Sequence, residues 1–286
     1  ETGTPRLLEA EYDDGVLVPV RGRSTMERVM PWIARKMPTF KRYAAASLAD
    51  IFGEEAIEKA ERHAVTELRS GVFLSRASVG GYAFEPLPRM GQIAPIFGVA
   101  AGDFDGDGRA DIYAVQNSYA PIPEVGRFAG GLSQLLRGDG KGGFAVADVA
   151  ETQLIVPGDA KGLAVLDVDR DGWPEFLVTR TTNEALVFGN TGVAGRTMRG
   201  VILRGRGGNP TAVGARVTAV LADGSTQTAE VSAGVGYLAQ SSATLFFGAP
   251  DENPLVRLRV RWPWGEATEV AVPAGAGLLR ISAPPE

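Results

Sequence analysis

Cysteine is missing from all 286 residues, which excludes a disulfide framework, thiolate zinc sites and a cysteine nucleophile. A single histidine, His63, leaves little for imidazole metal centres and makes any Ser-His-Asp triad depend on one ring. No apolar run approaches the roughly 20 residues that a membrane-spanning helix needs. The opening Glu1-Thr2-Gly3-Thr4-Pro5 has neither the basic start nor the apolar segment of a signal peptide, and reads as a mature end, a processing product or a cut made elsewhere. Positive charge is in short supply. The formal charge is -5, without the basic face expected of a general nucleic-acid binder, and lysine is absent beyond residue 195, where every cation is arginine.

The remaining composition is ordinary globular material. Hydrophobic residues make up 44% and charged residues 22%, and the length suits one large or two ordinary domains. Thirty-seven glycines and 18 prolines without a collagen-like period imply many turns and therefore many short strands. Only the stretch at about 24–69 reads as helical. Ser24-Thr25-Met26-Glu27 has the capping-box pattern, and Pro31 and Pro38 break the helical pattern after it into short pieces. Thr39 to Phe52 carries apolar residues on one helical face and stops at Gly53. Glu54 to Leu68 repeats that spacing, with Glu58 and Arg62 as an i,i+4 pair.

After Gly71 short β-branched and aromatic runs alternate with Gly, Asp, Asn and Pro clusters, which predicts an all-β region. Arg257 to Trp262 is the clearest strand: its period of two sends Leu258, Val260 and Trp262 inward and three arginines outward. The Gly-rich joint from Gly189 to Gly195 divides a region at 1–190 from a β domain at 196–286.

One pattern carries chemistry. Asp103, Asp105, Asp107 and Asp111 take positions 1, 3, 5 and 9 of a tight loop in which Gly108 permits a sharp bend. Calcium wants six to eight hard oxygens, and alternate residues of a curling loop turn their side chains to one point. The carbonyl of Arg109, at position 7, and a water would complete the shell. The arrangement returns at Asp167, Asp169, Asp171 and Glu175, with Trp173 at position 7. Each copy lies between two apolar strands, Phe97 to Ala100 and Ile112 to Val115 for the first, Leu163 to Leu166 and Phe176 to Thr179 for the second. Position 12 is Ala114 or Val178, so the EF-hand pattern with its bidentate Glu fails. The expectation is Ca2+ at two sites, against empty Asp-Gly turns. Gly138 to Phe144 lacks the carboxylates and reads as a plain hairpin.

The other conspicuous residues have plainer readings. His63 sits among Glu58, Glu61 and Arg62 with no spaced Ser or Asp to make it a base, so it reads as a surface residue. Asp159 and Lys161 read as an ion pair rather than a proton-transfer couple. Arg204, Arg206, Arg216, Arg257, Arg259 and Arg261 form either a solvated strand face or an anion- or glycan-binding one. Trp262 and Trp264 share a face, in core packing or sugar stacking.

Strand, Asp-x-Asp-x-Asp-Gly loop, strand resembles the FG-GAP/VCBS repeat, a β-propeller blade with calcium in its loop. Pro19-Val20-Arg21-Gly22, Pro86-Leu87-Pro88 with Gln92-Ile93-Ala94-Pro95, Gly126-Arg127-Phe128 and Gly158-Asp159-Ala160-Lys161 occur in the order found in large bacterial proteins of this class, which often carry Asp where Ala129 stands. Further on, Ala212-Val213-Gly214-Ala215-Arg216-Val217, Gly234, Gly236 to Ser241, Phe247-Gly248 and Val260 to Gly265 resemble the ASPIC/UnbV domain of cartilage acidic protein-like proteins, with departures at Ala239, Ala249 and Trp264. The resemblance implies a mainly β fold, a partial propeller with a short helical insert followed by a small all-β domain. It also implies an exported protein, periplasmic, cell-surface or secreted. A propeller needs about four to eight blades. The region at 1–190 holds two or three, which favours the C-terminal part of a longer protein.

The leading functional expectation is therefore a non-enzymatic calcium-binding module that binds a protein, a polysaccharide or a neighbouring subunit of an envelope or extracellular complex. The alternative is a calcium-assisted carbohydrate-active or other hydrolase, which needs two acids about 5–9.5 Å apart across a cleft.

Overall fold

The computed structural model describes residues 7–76, 80–121, 125–275 and 277–285; the opening Glu1 to Pro5 lies outside the described residues. The chain divides into two compact units, residues 1–68 with 122–126, and residues 69–121 with 127–286.

In the first unit, β1 (Ala10–Asp13) and β2 (Val16–Pro19) form an antiparallel hairpin. Asp14 and Gly15 both take positive φ, the turn that suits the strand twist. Five short helices come next: α1 (Arg23–Val29), α2 (Trp32–Lys36), α3 (Phe40–Ala44), α4 (Leu48–Phe52) and α5 (Glu54–Glu58). Pro31 and Pro38 punctuate them as the sequence predicts. Met26, Met30, Ile33, Met37, Tyr43 and Ile51 make the core of this unit. Cationic side chains tie helix ends together: Arg23 Nε donates to the Met37 carbonyl at 2.7 Å and Lys36 Nζ to the Ile51 carbonyl at 2.7 Å.

Three helical expectations are corrected. The capping box is not at Ser24: α1 begins at Arg23 with Gly22 as its N-cap, and Glu27 instead meets Arg23 at 3.0 Å. The box forms at Ser47 and Asp50, and that cap starts a new helix, so Thr39 to Phe52 is two helices rather than one. The helix over Glu54 to Leu68 ends at Glu58. None of its side chains is buried, and Val65 and Leu68 are 77% and 87% exposed, so no packing supports a longer one. The expected Glu58–Arg62 pair gives way to Glu55–Lys59, while Arg62 donates to the Ile57 carbonyl.

Among the described residues the second unit is all-β apart from one short helix and a 3-10 turn. β3 (Gly71–Ser75) pairs with β4 (Tyr82–Pro86). β5 (Ile96–Gly102), β6 (Asp111–Gln116), β7 (Gln134–Gly138) and β8 (Phe144–Val146) make an antiparallel sheet in that order. Gly138 to Phe144 is the hairpin predicted, joining β7 to β8. After α6 (Val149–Thr152), β9 (Ala160–Leu166), β10 (Glu175–Arg180) and β11 (Asn183–Phe188) form a second antiparallel sheet. Phe104, Tyr113, Val115, Leu163, Phe176 and Val178 bury one core shared by these two sheets. Phe176 meets Phe104 edge-on at 4.9 Å and Tyr113 at 4.4 Å.

The remainder is a sandwich. β12 (Arg196–Arg204) lies between β15 (Leu245–Pro250), antiparallel, and β18 (Gly277–Ser282), parallel. The facing sheet runs β14 (Thr226–Glu230), β13 (Arg216–Leu221), β16 (Leu255–Arg261), β17 (Ala267–Ala271). Val201, Leu203 and Phe247 from one sheet meet Val217, Leu258, Val260 and Trp262 around the other in a single core. The alternation read at Arg257 to Trp262 holds, with Leu258, Val260 and Trp262 buried. The architecture is mainly β, in several small sheets. Among the described residues they close into no barrel or propeller.

Candidate metal centre

Both acidic loops are the turns of antiparallel hairpins, 103–111 joining β5 to β6 and 167–175 joining β9 to β10. Their backbones match. Positions 4 and 6 take positive φ in each, as Gly106 and Gly108 in the first and Arg170 and Gly172 in the second. The closing acid also acts alike: Asp111 accepts from the Phe104 amide at 3.1 Å, and Glu175 from the Val168 amide at 2.7 Å. Position 3 accepts from position 5 at 3.2 Å in both loops, and position 5 from position 7 at 2.8 Å. These short bonds curl the loop and turn alternate carboxylates inward.

The outcome differs between the two. In the second loop Asp167, Asp169, Asp171 and Glu175 each offer an oxygen, all within 4.8 Å of one another. In the first only Asp103, Asp105 and Asp111 converge so. The Asp107 carboxylate turns instead to Arg109, with Nε 3.0 Å away. Asp105 is met by Arg196 Nη1 at 2.7 Å and Arg137 Nε at 3.4 Å. Among the described residues no cation pairs with the second loop's four carboxylates. Arg109 and Trp173 stand at position 7, where only their carbonyls could serve a metal; the Trp173 ring packs near Gly106 and Gly192.

Crowded carboxylates out of water resist ionisation. Burial pushes the Asp103 carboxyl up to about 7, against the amides of Gly108 and Gly106, and the nearby Asp107 and Asp111 add to the shift. Asp111 is raised to about 6 for the same reason, opposed by the amides of Gly138 and Phe104. Asp167 and Glu175 are also raised, by burial first. Both Asp167 oxygens are sealed from solvent with no partner in hydrogen-bond geometry. The amides of Arg170 and Gly172 act on this carboxylate and oppose part of the rise. A sealed carboxylate met only by poorly aligned amides is costly, and a hard cation is the partner it fits.

Each loop abuts the β15-β12-β18 sheet, and glycines make the approach possible. A Cβ on Gly248 would collide with Asp103 and Gly106, and one on Gly200 would stand 3.2 Å from Asp167 Oδ2. Gly172 faces the Gly277 backbone as closely. Sequence reasoning finds the acids but misses Arg137, Arg196 and these glycines. Arg196 is 91 positions from Asp105. Gly172 belongs to the acidic loop itself, and Gly248 stands in the Phe247-Gly248 pair, a motif in which nothing points to an acidic loop.

The other candidates take structural places. His63 is exposed, 3.0 Å from Glu61, in a stretch that is not helical. Lys161 pairs with buried Asp159 at 2.6 Å, donates to the Asn117 carbonyl and lies 3.4 Å from the Phe97 ring centre, which spends its charge on packing. Trp262 is core. Trp264 stacks on it at 5.5 Å, and the Arg206 guanidinium lies 4.8 Å from the Trp264 ring centre.

Residues 205–285 match the family described as ASPIC and UnbV, and this stretch is an ASPIC/UnbV domain. The match includes neither acidic loop. Its motif residues have physical reasons here: Ala212, Ala215, Val217, Phe247, Val260 and Trp262 fill the sandwich core. Ser241 and Ser242 hydrogen-bond the Val165 backbone on the open edge of β9. A search of curated proteins returns no match to the chain.

Proposed function

We propose that this chain is a calcium-binding β module that works by binding rather than by catalysis, with one cation held by each acidic loop and the tighter site in the second. The observation that carries this reading is Asp167, whose two buried and unpartnered oxygens join three further carboxylates with no arginine among them. Four carboxylates with a main-chain carbonyl and water suit the large, adaptable shell of calcium better than the strict octahedron of magnesium. The first loop has three convergent acids and two arginines on one of them, so it takes the ion more weakly. The two hairpin-loop sheets are read as FG-GAP/VCBS-type blades of an exported, cartilage acidic protein-like chain that binds a protein or glycan partner.

Calorimetric titration of the chelator-treated chain with calcium and with magnesium tests this. Two unequal calcium sites, the tighter one lost in Asp167→Asn, are expected. No heat and no shift in melting temperature at millimolar calcium would refute the metal reading, and turnover of a glycoside substrate would refute the non-enzymatic one.

A further inference from the structure

We propose that the outer face of the β14-β13-β16-β17 sheet docks a linear acidic polysaccharide on Arg216, Arg257, Arg259 and Arg261. This rests on the reading of the chain as a binding module and names a ligand class and surface for it. The six arginines conspicuous in the sequence do not act together: Arg206 is bound to the Pro284 and Pro285 carbonyls and to Glu266, and Arg204 lies on the other sheet. The other four share one exposed face.

That face is not neutralised. Register places Arg261 directly opposite Arg216, and like charges in that relation destabilise an antiparallel pair. Arg216 comes no closer than 4.0 Å to Glu230. Arg257 and Arg259 share the single carboxylate of Glu269, at 3.4 and 4.0 Å. Among the described residues Arg261 has no ion pair. Four guanidiniums thus stand over two loosely held carboxylates, on a chain whose formal charge is -5. That excess of positive charge is open to an anion.

Spacing and neighbours choose the anion. Outward residues along one strand repeat every 6.8 Å or so, which makes Arg257, Arg259 and Arg261 a straight cationic row with Arg216 beside one end. Guanidinium forks bind carboxylate or sulfate bidentately. Thr218 and Thr228 add a hydroxyl pair, 3.3 Å apart, of the kind that sugar hydroxyls exchange with. The outward positions of these four strands carry no aromatic ring, so nucleic-acid bases would find no stacking platform.

The test is biolayer interferometry with the full chain in EGTA, against polygalacturonate, chondroitin sulfate, neutral dextran, polyglutamate and oligo-dT. Binding to the two acidic polysaccharides and not to dextran is expected, weakening at least tenfold between 50 and 200 mM salt. Arg216→Ala/Arg261→Ala should lose at least tenfold in affinity, and the double Lys variant should retain part of it. Unliganded Arg261→Thr should melt no lower than the parent, since it relieves the opposed charges. Equal binding by parent and double Ala variant, or no polysaccharide binding, would overturn the proposal. So would stronger binding to polyglutamate or oligo-dT. The salt dependence of the parent needs no variant, and so survives a folding failure. Calcium titration of the same sample keeps the two readings apart: a normal calcium response without polysaccharide binding removes only this proposal.

Discussion

Arg196 Nη1 lies 2.7 Å from Asp105 Oδ1 and 3.0 Å from the Asp105 carbonyl, so the first strand of the sandwich supplies a cation to an acidic loop 91 positions earlier. A guanidinium there does part of what a metal would do. The same contact fastens the loop to β12.

Arg196→Met should therefore act in two directions. Without metal it leaves the buried Asp105 short of a partner and costs about 1–3 kcal/mol. With calcium it removes a competitor, so first-loop affinity should rise. Thermal melting with and without EGTA reads both: a lower melting temperature in chelator and a larger gain on adding calcium. A calcium gain unchanged from the parent would count against competition.

Asp167→Asn keeps the shape of the second loop and removes its unpartnered charge. At a calcium concentration a hundredfold above the dissociation constant, each site should add about 2.7 kcal/mol to stability. The variant should lose that increment from the second loop while the first loop's remains. Denaturant unfolding at matched free calcium measures the difference. The ASPIC/UnbV stretch holds neither loop, so residues 196–286, if they fold alone, should melt at the same temperature with or without calcium.

Gly248→Ala tests the approach of the sandwich to the first loop. A methyl group there meets Asp103 and the Gly106 backbone. Overpacking of this kind costs roughly 1–3 kcal/mol. The first-loop calcium response should weaken and the second stay as it was, which titration of the variant resolves.

In chelator the chain should be more stable at pH 5 than at pH 7.5. Asp103 and Asp111, raised by burial to about 7 and about 6, hold protons in the folded state that the unfolded chain releases near about pH 4. That stability is full below the unfolded pKa and is lost as pH rises through the folded values. Carboxylates with depressed pKa, such as Asp50 beside Ser47, contribute oppositely, but below this window. Calcium needs the ionised form and displaces those protons, so its stabilising effect should grow over the same interval. Melting curves at both pH values, with EGTA and with calcium, check the crossing.

The parts of the fold legible in the sequence are those fixed by local pattern. Leu258, Val260 and Trp262 go inward because a period of two leaves a half-buried strand no choice. The hairpin at Gly138 to Phe144 and the strands flanking both acidic loops come from turn chemistry. Helix ends are less legible. Ser24 and Ser47 offer the same hydroxyl, and what separates them is whether the chain has already turned helical at Arg23, which packing of Met26 and Met30 decides. Ala60, Ala64, Val65 and Leu68 continue the helical spacing of Ile57 but stand exposed. At the acidic loops the spacing names the carboxylates, while Arg137, Arg196 and Gly248 arrive by tertiary approach. No local pattern encodes that Asp107 turns to its neighbour Arg109.

β12 is flanked by β15 on one side and by β18 on the other, and the parallel partner of Arg199 is Gly277. During synthesis the ribosome delivers β12 long before β18. Until Gly277 to Ser282 has left the exit tunnel, one edge of β12 stands unpaired, a ready template for another strand. Pairings that span so much chain also close slowly. A nascent chain paused between these two strands is thus the form of this protein most exposed to aggregation, and slow codons or scarce chaperones in that interval will be felt as lost yield rather than as a less stable product.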